Sequence, residues 1–359
     1  MKILGVVGAR PNFVKIAPLA WEIRRRGGAT LFLLHTGQHY DRRLSDVFFD
    51  ELQIPEPDAN LGIGSGSHAA QTAEVMKRIE PVLVEQKPDI VLVVGDVNST
   101  VASALTAVKL GFPVAHVEAG LRSFDVTMPE EINRRVTDQI SRWLFVTEKS
   151  GVENLRREGI PDGQIFLVGN VMIDTLYRCR DRIEGSNILD TLKLESRGYA
   201  LLTLHRPSNV DDRDMLQGLM KAMAKIQELI PVVFPVHPRT KSALQSGGWD
   251  QLPGVRMIDP LGYLDFLKLQ SHARFVLTDS GGVQEETTAL GVPCLTLREN
   301  TERPATIESG TNTLVGRDTG RILAAALQYL NGKCPSPRVP DLWDGKAAQR
   351  ILKILCDGR

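Results

Sequence analysis

Short apolar, β-branched runs alternate with longer segments of helical periodicity along nearly the whole chain. This alternation is typical of parallel α/β sheets, because strands buried on both faces are apolar throughout. In the first half, the predicted strands are Ile3–Val7, Thr30–His35, Ile90–Gly95, Val114–Val117, Leu144–Thr147 and Ile165–Val168. In the second half, they are Tyr199–Leu204, Val232–Val236, Val255–Ile258, Phe275–Thr278, Cys294–Leu297 and Asn312–Val315. The pattern predicts an α/β protein with two doubly wound parallel sheets.

Helical segments lie between these strands, and the chain length sets how many domains they build. The clearest helical segments are Pro11–Arg25, His68–Glu85, Ser99–Leu110 and a last one near Ala347–Cys356. Pro11 fits the first turn of a helix, whereas Pro18 predicts a kink. With 359 residues, the chain has the length of two domains. We predict Rossmann-like domains over residues 1–180 and 181–340, linked by the polar stretch Asp181–Arg197.

The charge balance and the cysteines limit the class of protein. The chain has 43 Lys+Arg and 43 Asp+Glu, a net charge of zero that argues against a nucleic-acid or anionic-membrane partner. Its 4 cysteines include no CxxC pair, so neither a zinc site nor a redox motif is expected. Widely spaced cysteines fit a protein of a reducing compartment. Neither a membrane-spanning run nor a signal peptide is found, and Lys2–Val7 reads at once as a buried strand. We therefore expect a cytoplasmic protein.

Polar turns follow the predicted strands, and in doubly wound sheets this edge is where ligands bind. Two such halves are expected to share a cleft there. Arg10 lies after Gly8 and just before a helix, which suits an anion receptor but equally an ordinary solvated βα loop. His35 and His39 are four residues apart, but Gly37 between them favours a loop in the cleft wall over a metal site.

Acidic residues follow three successive elements of the first half. Asp96 comes directly after the most apolar strand, Glu118 ends the next strand, and Glu130 and Glu131 open a helix after Pro129. Each carboxylate alone has an ordinary explanation, since it could cap a helix or complement a helix dipole. Three acidic clusters on loops at the same edge of one sheet favour acid–base chemistry instead.

The second half contributes groups suited to phosphate. His205 and Arg206 end one predicted strand, and His237 and Arg239 end the next. The segment TDSGGVQEE places Ser280-Gly281-Gly282 at a helix start, where backbone N–H groups can approach a diphosphate without a Cβ in the way. A carboxylate one turn later could bind a ribose diol, and Arg303 adds a cation.

Two common nucleotide motifs are missing. The chain contains neither GxGxxG nor GxxxxGK[ST]. The nearest segment, Gly62–Ser67, has Ser67 in place of the third glycine and no apolar strand before it. A nicotinamide-binding Rossmann loop and a P-loop are both disfavoured.

Nine motifs together resemble those of a known family. GARPNFVK, HTGQHYD, GDVNST, HVEAGLRS, PEEINR, HRPSN, VHPRT, DSGGVQEE and TERP occur between Gly8 and about Gly316. In this order they resemble the non-hydrolysing UDP-N-acetylglucosamine 2-epimerases. The resemblance implies a GT-B architecture of two Rossmann-like domains with a cleft between them, and a C-terminal helix in residues 341–359 that returns to the first domain.

The same resemblance implies an activity and the residues that perform it. The family interconverts UDP-GlcNAc and UDP-ManNAc by eliminating UDP to give 2-acetamidoglucal and adding it back, as a homodimer that needs no cofactor and no metal. The residues at its catalytic positions are Asp96, Glu118, Glu130 and His205. Those at its substrate-binding positions are Arg10, Lys15, Phe266, Ser280, Gly281, Gly282, Glu286 and Arg303. Glu286 resembles the ribose ligand, the uracil is expected to meet backbone around Phe266, and His205 is expected beside the diphosphate.

The sequence departs from the family pattern at a second site and leaves several functions open. Many members carry a regulatory UDP-GlcNAc site with a Gln-His pair and a later Gln; Gln38 and His39 are present here, but Ser65–His68 contains no Gln. Allosteric activation is therefore not expected. The alternatives are a 2-epimerase for a modified UDP-sugar of the 2,3-diacetamido uronic acid type, a hydrolysing 2-epimerase, a GT-B glycosyltransferase and a non-catalytic UDP-sugar sensor.

Overall fold

The computed structural model describes residues 1–37, 48–249 and 254–357, and these form two compact units. The first unit combines Met1–Arg178 with the chain end from Asp341. The second unit is Cys179–Pro340. Each unit has its own sheet and its own hydrophobic core.

The first unit contains, among its described residues, one sheet of seven strands that all pair in parallel. The strands are β1 (Lys2–Val7), β2 (Thr30–His35), β3 (Ala59–Asn60), β4 (Ile90–Val94), β5 (Val114–Ala119), β6 (Trp143–Val146) and β7 (Ile165–Leu167). Their order is β3-β2-β1-β4-β5-β6-β7, so the chain begins at the centre and winds outwards in both directions. The two-residue strand β3 was not predicted, because it has no apolar run.

The second unit repeats this winding with six strands among the described residues. They are β8 (Ala200–Thr203), β9 (Val232–Pro235), β10 (Val255–Ile258), β11 (Phe275–Thr278), β12 (Cys294–Thr296) and β13 (Asn312–Leu314). The order is β10-β9-β8-β11-β12-β13, again with every pair parallel. The prediction of two doubly wound parallel sheets is confirmed.

The helices connect successive strands, as parallel pairing requires. In the first unit they are α1 (Arg10–Arg26), α2 (His68–Gln86), α3 (Asn98–Lys109), α4 (Pro129–Ile140), α5 (Lys149–Arg157) and α6 (Val171–Arg178). Pro11 lies in the first turn of α1, and the helix continues through Pro18. No helix in the described part of the chain is long and apolar enough to span a bilayer.

The remaining helices belong to the second unit and to the chain end. They are α7 (Arg180–Glu184), α8 (Ile188–Thr191), α9 (Pro207–Val210), α10 (Arg213–Ile226), α11 (Pro238–Gly247), α12 (Tyr263–His272), α13 (Gly281–Leu290), α14 (Ala305–Glu308), α15 (Thr319–Leu330) and α16 (Ala347–Asp357). The stretch Asp181–Arg197 is therefore not an extended linker. Its few apolar residues explain why, since Ile188 and Leu192 are buried in the same core as Tyr199.

Burial on both faces accounts for the apolar runs in the sequence. Every residue of β4 is buried. On one face, Val91 and Val93 pack with Ile79 and Leu83 of α2, so a helix covers the side that water would otherwise reach. The strands of such a sheet cannot alternate polar and apolar residues, which is why the sequence pattern identifies them.

The chain end is fixed to the first unit by buried hydrogen bonds. The carboxylate of Asp174 on α6 accepts hydrogen bonds from the N–H groups of Ala347, at 3.1 Å, and Ala348, at 2.7 Å. These are the first two residues of α16, whose N–H groups have no partner within the helix. Trp343 is buried and donates from Nε1 to the carbonyl of Thr147 at 3.0 Å.

Replacing Asp174 with alanine should loosen this attachment. The Asp174→Ala variant is expected to lower the free energy of unfolding by about 1–3 kcal/mol, because two buried N–H groups lose their acceptor. Urea denaturation followed by circular dichroism measures the change. The matched control is Asp341→Ala in the same terminal segment, where the carboxylate is exposed and pairs with Lys149; it should change the value by less than about 0.5 kcal/mol. Equal effects of the two variants would contradict the prediction.

Candidate active site

Two of the three predicted acidic positions lie at one edge of the first sheet. Strands β4 and β5 pair in parallel with Val94 opposite Val117. Asp96 follows the end of β4, and Glu118 is the next-to-last residue of β5. The carboxyl ends of parallel strands meet at the same edge, so both acids belong to the turns there. Glu130 lies in the first turn of α4 and is half-buried.

Glu118 has an unusual backbone conformation. The register between β5 and β6 shifts between Val117 and Ala119, which makes Glu118 the extra residue of a bulge. Its φ is +75°, in the left-handed region that costs a non-glycine residue about 1–3 kcal/mol. A bulge redirects one side chain out of the strand alternation. The side chain it redirects here is buried and forms an ion pair with the ammonium of Lys15 on α1.

Gly95 provides the space for this ion pair. A Cβ at position 95 would stand 2.8 Å from Nζ of Lys15 and 3.3 Å from Oε2 of Glu118. The φ of Gly95 is +68°, which side-chain-bearing residues rarely adopt. Position 95 therefore requires glycine both for space and for backbone conformation.

Arg134 holds the carboxylate of Asp96. Nε of Arg134 donates to Oδ2 of Asp96 at 3.0 Å, while the side chain of Asp96 stays 22% exposed. The N-cap residue of α3 is Val97, and the side chain of Val97 makes no capping hydrogen bond. The aspartate is therefore paired with the guanidinium of Arg134 and still partly open to solvent.

The adjacent glutamates of α4 differ sharply. Glu131 is buried, accepts from the N–H and hydroxyl of Ser123 at 2.9 and 3.0 Å, and pairs with Nη1 of Arg134 at 2.5 Å. Glu131 is thus a structural residue that fixes the loop before α4. Glu130 keeps more solvent exposure, which is consistent with its predicted role in catalysis.

The loop that carries Arg10 is rigidly held. Oδ1 of Asn12 accepts from the N–H groups of Gly8, at 3.1 Å, and Ala9, at 3.0 Å, and its Nδ2 donates to the carbonyl of Val94. Arg10 is half-buried at the first position of α1, next to N–H groups that favour anions. Its binding of phosphate stays a prediction.

His35 is buried at the end of β2, where its ring packs within the first unit. Its ring stacks on Phe13 with centroids 5.4 Å apart, and its Nδ1 accepts from the N–H of Gly37 at 3.0 Å. Gln38 and His39 lie outside the described residues. Across the described ranges, no group of three or more His, Cys, Asp or Glu side chains is arranged to hold a metal ion.

In the second unit, Asp279 orients His205. The buried carboxylate of Asp279 accepts from the N–H groups of His205 and Arg206, the latter at 2.9 Å, and lies 3.1 Å from Nδ1 of His205. Burial alone would raise the pKa of Asp279, but the charge and hydrogen bonds of His205 hold it below its usual range. An ionised carboxylate only accepts, so Nδ1 of His205 carries the hydrogen and Nε2 is left to meet a ligand. Asp279 lies within the DSGGVQEE motif, but no role for it was predicted from the sequence.

Ser280 and Gly281 form the start of a ten-residue helix, α13, directly after β11. Ser280 is the N-cap residue, and the following N–H groups lack partners within the helix. A Cβ on Gly281 would stand 2.3 Å from Nη1 of Arg303, so any larger residue here would displace that guanidinium group. The helix terminus has the geometry and the dipole of an anion site, as predicted for Ser280-Gly281-Gly282.

Arg303 lies beside this helix start but its charge is balanced within the unit. It is buried, with Nε 2.9 Å from Oε1 of Glu285 and a second ion pair to Glu302. Glu302 also pairs with Nη2 of Arg298 at 2.7 Å. Two arginines and two glutamates thus form a buried network under Gly281.

Glu286 is buried as a neutral acid. Burial, and the charge of Glu285, raise the pKa of Glu286 to about 8, although hydrogen bonding from Tyr263 and Gln270 acts in the opposite direction. A protonated carboxyl group can both donate and accept, as a ribose diol also can. Tyr263 and Gln270 lie on α12, together with the half-buried Phe266.

Comparison with known proteins identifies relatives over the whole chain. Residues 21–356 match the family described as UDP-N-acetylglucosamine 2-epimerase. A UDP-N-acetylglucosamine 2-epimerase homolog of Methanococcus maripaludis is 49% identical over 90% of this chain and 91% of its own. The UDP-2,3-diacetamido-2,3-dideoxy-D-glucuronate 2-epimerase of Pseudomonas aeruginosa is 41% identical over 99% of both chains.

A solved structure shares the architecture. The UDP-GlcNAc 2-epimerase of Methanocaldococcus jannaschii, in complex with UDP-GlcNAc and UDP, superimposes with a TM-score of 0.93 at 42% identity, over 100% of both chains. The two parallel-sheet α/β units are thus of the GT-B-like type that the sequence predicted.

The raised pKa of Glu286 predicts how stability changes with pH. The folded protein holds this proton up to about pH 8, whereas the unfolded chain releases it near its ordinary value of 4.5. The free energy of unfolding of the wild type should therefore fall, relative to Glu286→Gln, as the pH rises from about 4.5 to about 8. Urea midpoints at pH 5, 7 and 8.5 measure the difference.

The control for this titration is Glu308→Gln, which changes an exposed glutamate of α14 in the same unit. Its urea midpoint should follow that of the wild type at all three pH values. If the free energy of unfolding of the wild type, relative to Glu286→Gln, stays constant or rises as the pH rises from 5 to 8.5, Glu286 is ionised in the folded protein.

Proposed function

The chain belongs to the UDP-N-acetylglucosamine 2-epimerase family, and from that membership we propose that it is a non-hydrolysing enzyme that interconverts UDP-GlcNAc and UDP-ManNAc. The observation that carries the proposal is the strained Glu118, held against Lys15 at the strand edge that also bears Asp96. Such strain persists where the surrounding structure enforces it, and it concentrates at active sites. The family relation supports the nucleotide-sugar substrate, and the carboxylates support the proton chemistry.

The substrate's own chemistry favours elimination over direct proton removal. Carbon 2 of the sugar bears an acetamido group and has no adjacent carbonyl, so its proton is not acidic. Oxidation next to it would require a nicotinamide site, whose motif the sequence lacks. Loss of UDP from carbon 1 and of the proton from carbon 2 gives 2-acetamidoglucal. UDP then adds back while a proton is delivered to the opposite face of carbon 2.

The first unit supplies the acid–base groups in this mechanism. Inversion requires proton removal on one face and proton delivery on the other, which gives a reason for several carboxylates at one strand edge. Asp96, Glu118 and Glu130 are assigned these steps. Lys15 and Arg134 offset the negative charge of the acids that they contact, so that the carboxylates can lie in a partly buried site.

The second unit supplies groups for the leaving diphosphate. Elimination builds negative charge on UDP, and fixed donors stabilise such charge without reorganisation. His205, oriented by Asp279, and the N–H groups after Ser280 are assigned to the diphosphate oxygens. The neutral Glu286 is assigned to the ribose.

A modified UDP-sugar is the second candidate substrate. The Pseudomonas aeruginosa relative, at 41% identity over nearly the whole of both chains, is named for a 2,3-diacetamido uronic acid derivative. The two substrates share the UDP portion and the acetamido group at carbon 2, so the same elimination would apply. A panel of UDP-sugars, each incubated with the enzyme and analysed by mass spectrometry and NMR, distinguishes them.

Incubation in deuterium oxide tests the reaction. UDP-GlcNAc alone should give UDP-ManNAc that carries deuterium at carbon 2, because the proton delivered to the opposite face comes from a solvent-exchanged carboxyl group. Proton NMR of the product follows both the inversion and the label. Product without label would exclude elimination, and release of free ManNAc would indicate a hydrolysing enzyme.

The Glu118→Gln variant tests the role of the strained glutamate. Loss of one acid–base group should lower kcat by about 10²–10⁴-fold while UDP still binds with the wild-type Kd, measured by calorimetry. The control is Glu153→Gln, at an exposed glutamate that pairs with its helix neighbour Arg157. Wild-type turnover by Glu118→Gln would remove Glu118 from the mechanism.

A further inference from the structure

A buried histidine outside the predicted site residues contacts the turn that carries Asp96. His116 lies on β5, two residues before Glu118, and its ring is fully buried. Nε2 of His116 is 2.8 Å from the carbonyl oxygen of Gly95. Nδ1 is 2.7 Å from Oδ1 of Asp138 on α4. The imidazole therefore bridges the β4 turn and the helix that bears Glu130.

Asp138 extends the bridge to the end of β5. Its second oxygen, Oδ2, accepts from the N–H of Gly120 at 3.1 Å and lies 2.7 Å from Nη2 of Arg122. Arg122 is anchored in turn by both oxygens of Glu158. One His–Asp pair thus joins the three elements on which the proposed acids lie: the turn after β4, the end of β5 and α4.

The hydrogen-bond partners of His116 and Asp138 determine which of their atoms carry hydrogen. The carbonyl of Gly95 can only accept, so Nε2 of His116 carries a hydrogen. On Oδ2, Asp138 accepts from the N–H of Gly120 and pairs with the guanidinium of Arg122, and both interactions favour the charged carboxylate whatever the state of His116. The carboxylate is therefore ionised, and Nδ1 of His116 carries the second hydrogen.

The position of the Gly95 carbonyl affects the position of the neighbouring acidic residues. It is one peptide before Asp96, and the Cα of Gly95 faces the Lys15–Glu118 ion pair. Asn133 of α4 donates to the carbonyl oxygen of Asp96 at 2.9 Å. Two consecutive carbonyls are thus clamped by side chains from β5 and α4, and a shift of either would move Asp96 relative to Glu118.

We propose that His116, protonated on both ring nitrogens between Asp138 and Gly95, is a positioning residue that fixes the Gly95–Asp96 turn for proton transfer. It does not reach solvent, and it acts through the backbone that it holds. The kinetic part of this inference rests on the proposed epimerase function. The protonation state does not, and it can be measured without any substrate.

Two substitutions separate the contacts of His116. The amide nitrogen of glutamine falls near the position of Nε2 and can still donate to Gly95, whereas that of asparagine falls near Nδ1 and reaches only Asp138. His116→Asn should therefore lower kcat by about 100-fold, the cost of a misplacement of about 1 Å, with KM for the UDP-sugar changed less than threefold. His116→Gln should recover about tenfold of that loss.

Asp174→Ala serves as the stability control, because it removes a buried carboxylate from two N–H groups elsewhere in the same unit. The kcat of Asp174→Ala should equal that of the wild type, even if Asp174→Ala loses as much thermal stability as His116→Asn. Equal kcat values for His116→Asn and His116→Gln, or a loss matched by Asp174→Ala, would overturn the positioning role. Should both His116 variants fail to fold, Asp138→Asn replaces them and should lower kcat without raising KM.

Nitrogen-15 NMR of histidine-labelled wild type tests the protonation directly. His116 should show two N–H signals that exchange slowly with solvent at pH 7.5 and that change in Asp138→Asn. A single N–H on this ring would overturn the proposal whatever the kinetics. Wild-type protein that does not turn over any UDP-sugar but shows both signals would refute the proposed function and leave the doubly protonated clamp in place.

Discussion

A buried ion pair between Lys15 and Glu118 lies at the carboxyl edge of the first sheet. The backbone conformations of the residues around it leave room for the two charged groups. Removing two charges from water is costly, and the attraction repays the cost only in good geometry. The bulge of β5 turns Glu118 towards α1, and Gly95 leaves out the Cβ that would strike the ammonium. Lys15 in turn comes from a helix whose first turn is fixed by Asn12.

Both units balance their charges internally, which gives the equal numbers of acidic and basic residues a structural meaning. In the first unit, Arg134 lies between Asp96 and Glu131. In the second, Arg303 pairs with Glu285 and Glu302. Desolvated charges need partners, and each of these groups has at least one ion pair within its own unit. The carboxyl group of Glu286 avoids the cost differently, since its raised pKa keeps it neutral.

Most strands, the sheet class and the family were predictable because each depends on local sequence. Apolar runs identified the buried strands, and the nine motifs identified the family that the comparisons confirm. Strand β3 was not predicted, since two residues without an apolar run show no strand pattern. Glu130 and Glu131 looked equivalent, and only their contacts separate a half-buried acid from one bound to Ser123. Asp279 stood inside a recognised motif, yet its contact with His205 joins residues 74 positions apart.

The sequence by itself determined the alternation of strand and helix and the turns on which chemistry-bearing residues fall, because these depend on neighbours along the chain. Tertiary structure alone decided which side chains are charged, shielded or held. The left-handed φ of Glu118, the neutral Glu286 and the two-sided clamp of His116 all depend on groups brought from other strands and helices. Burial and hydrogen bonding act through space, and no local pattern encodes them.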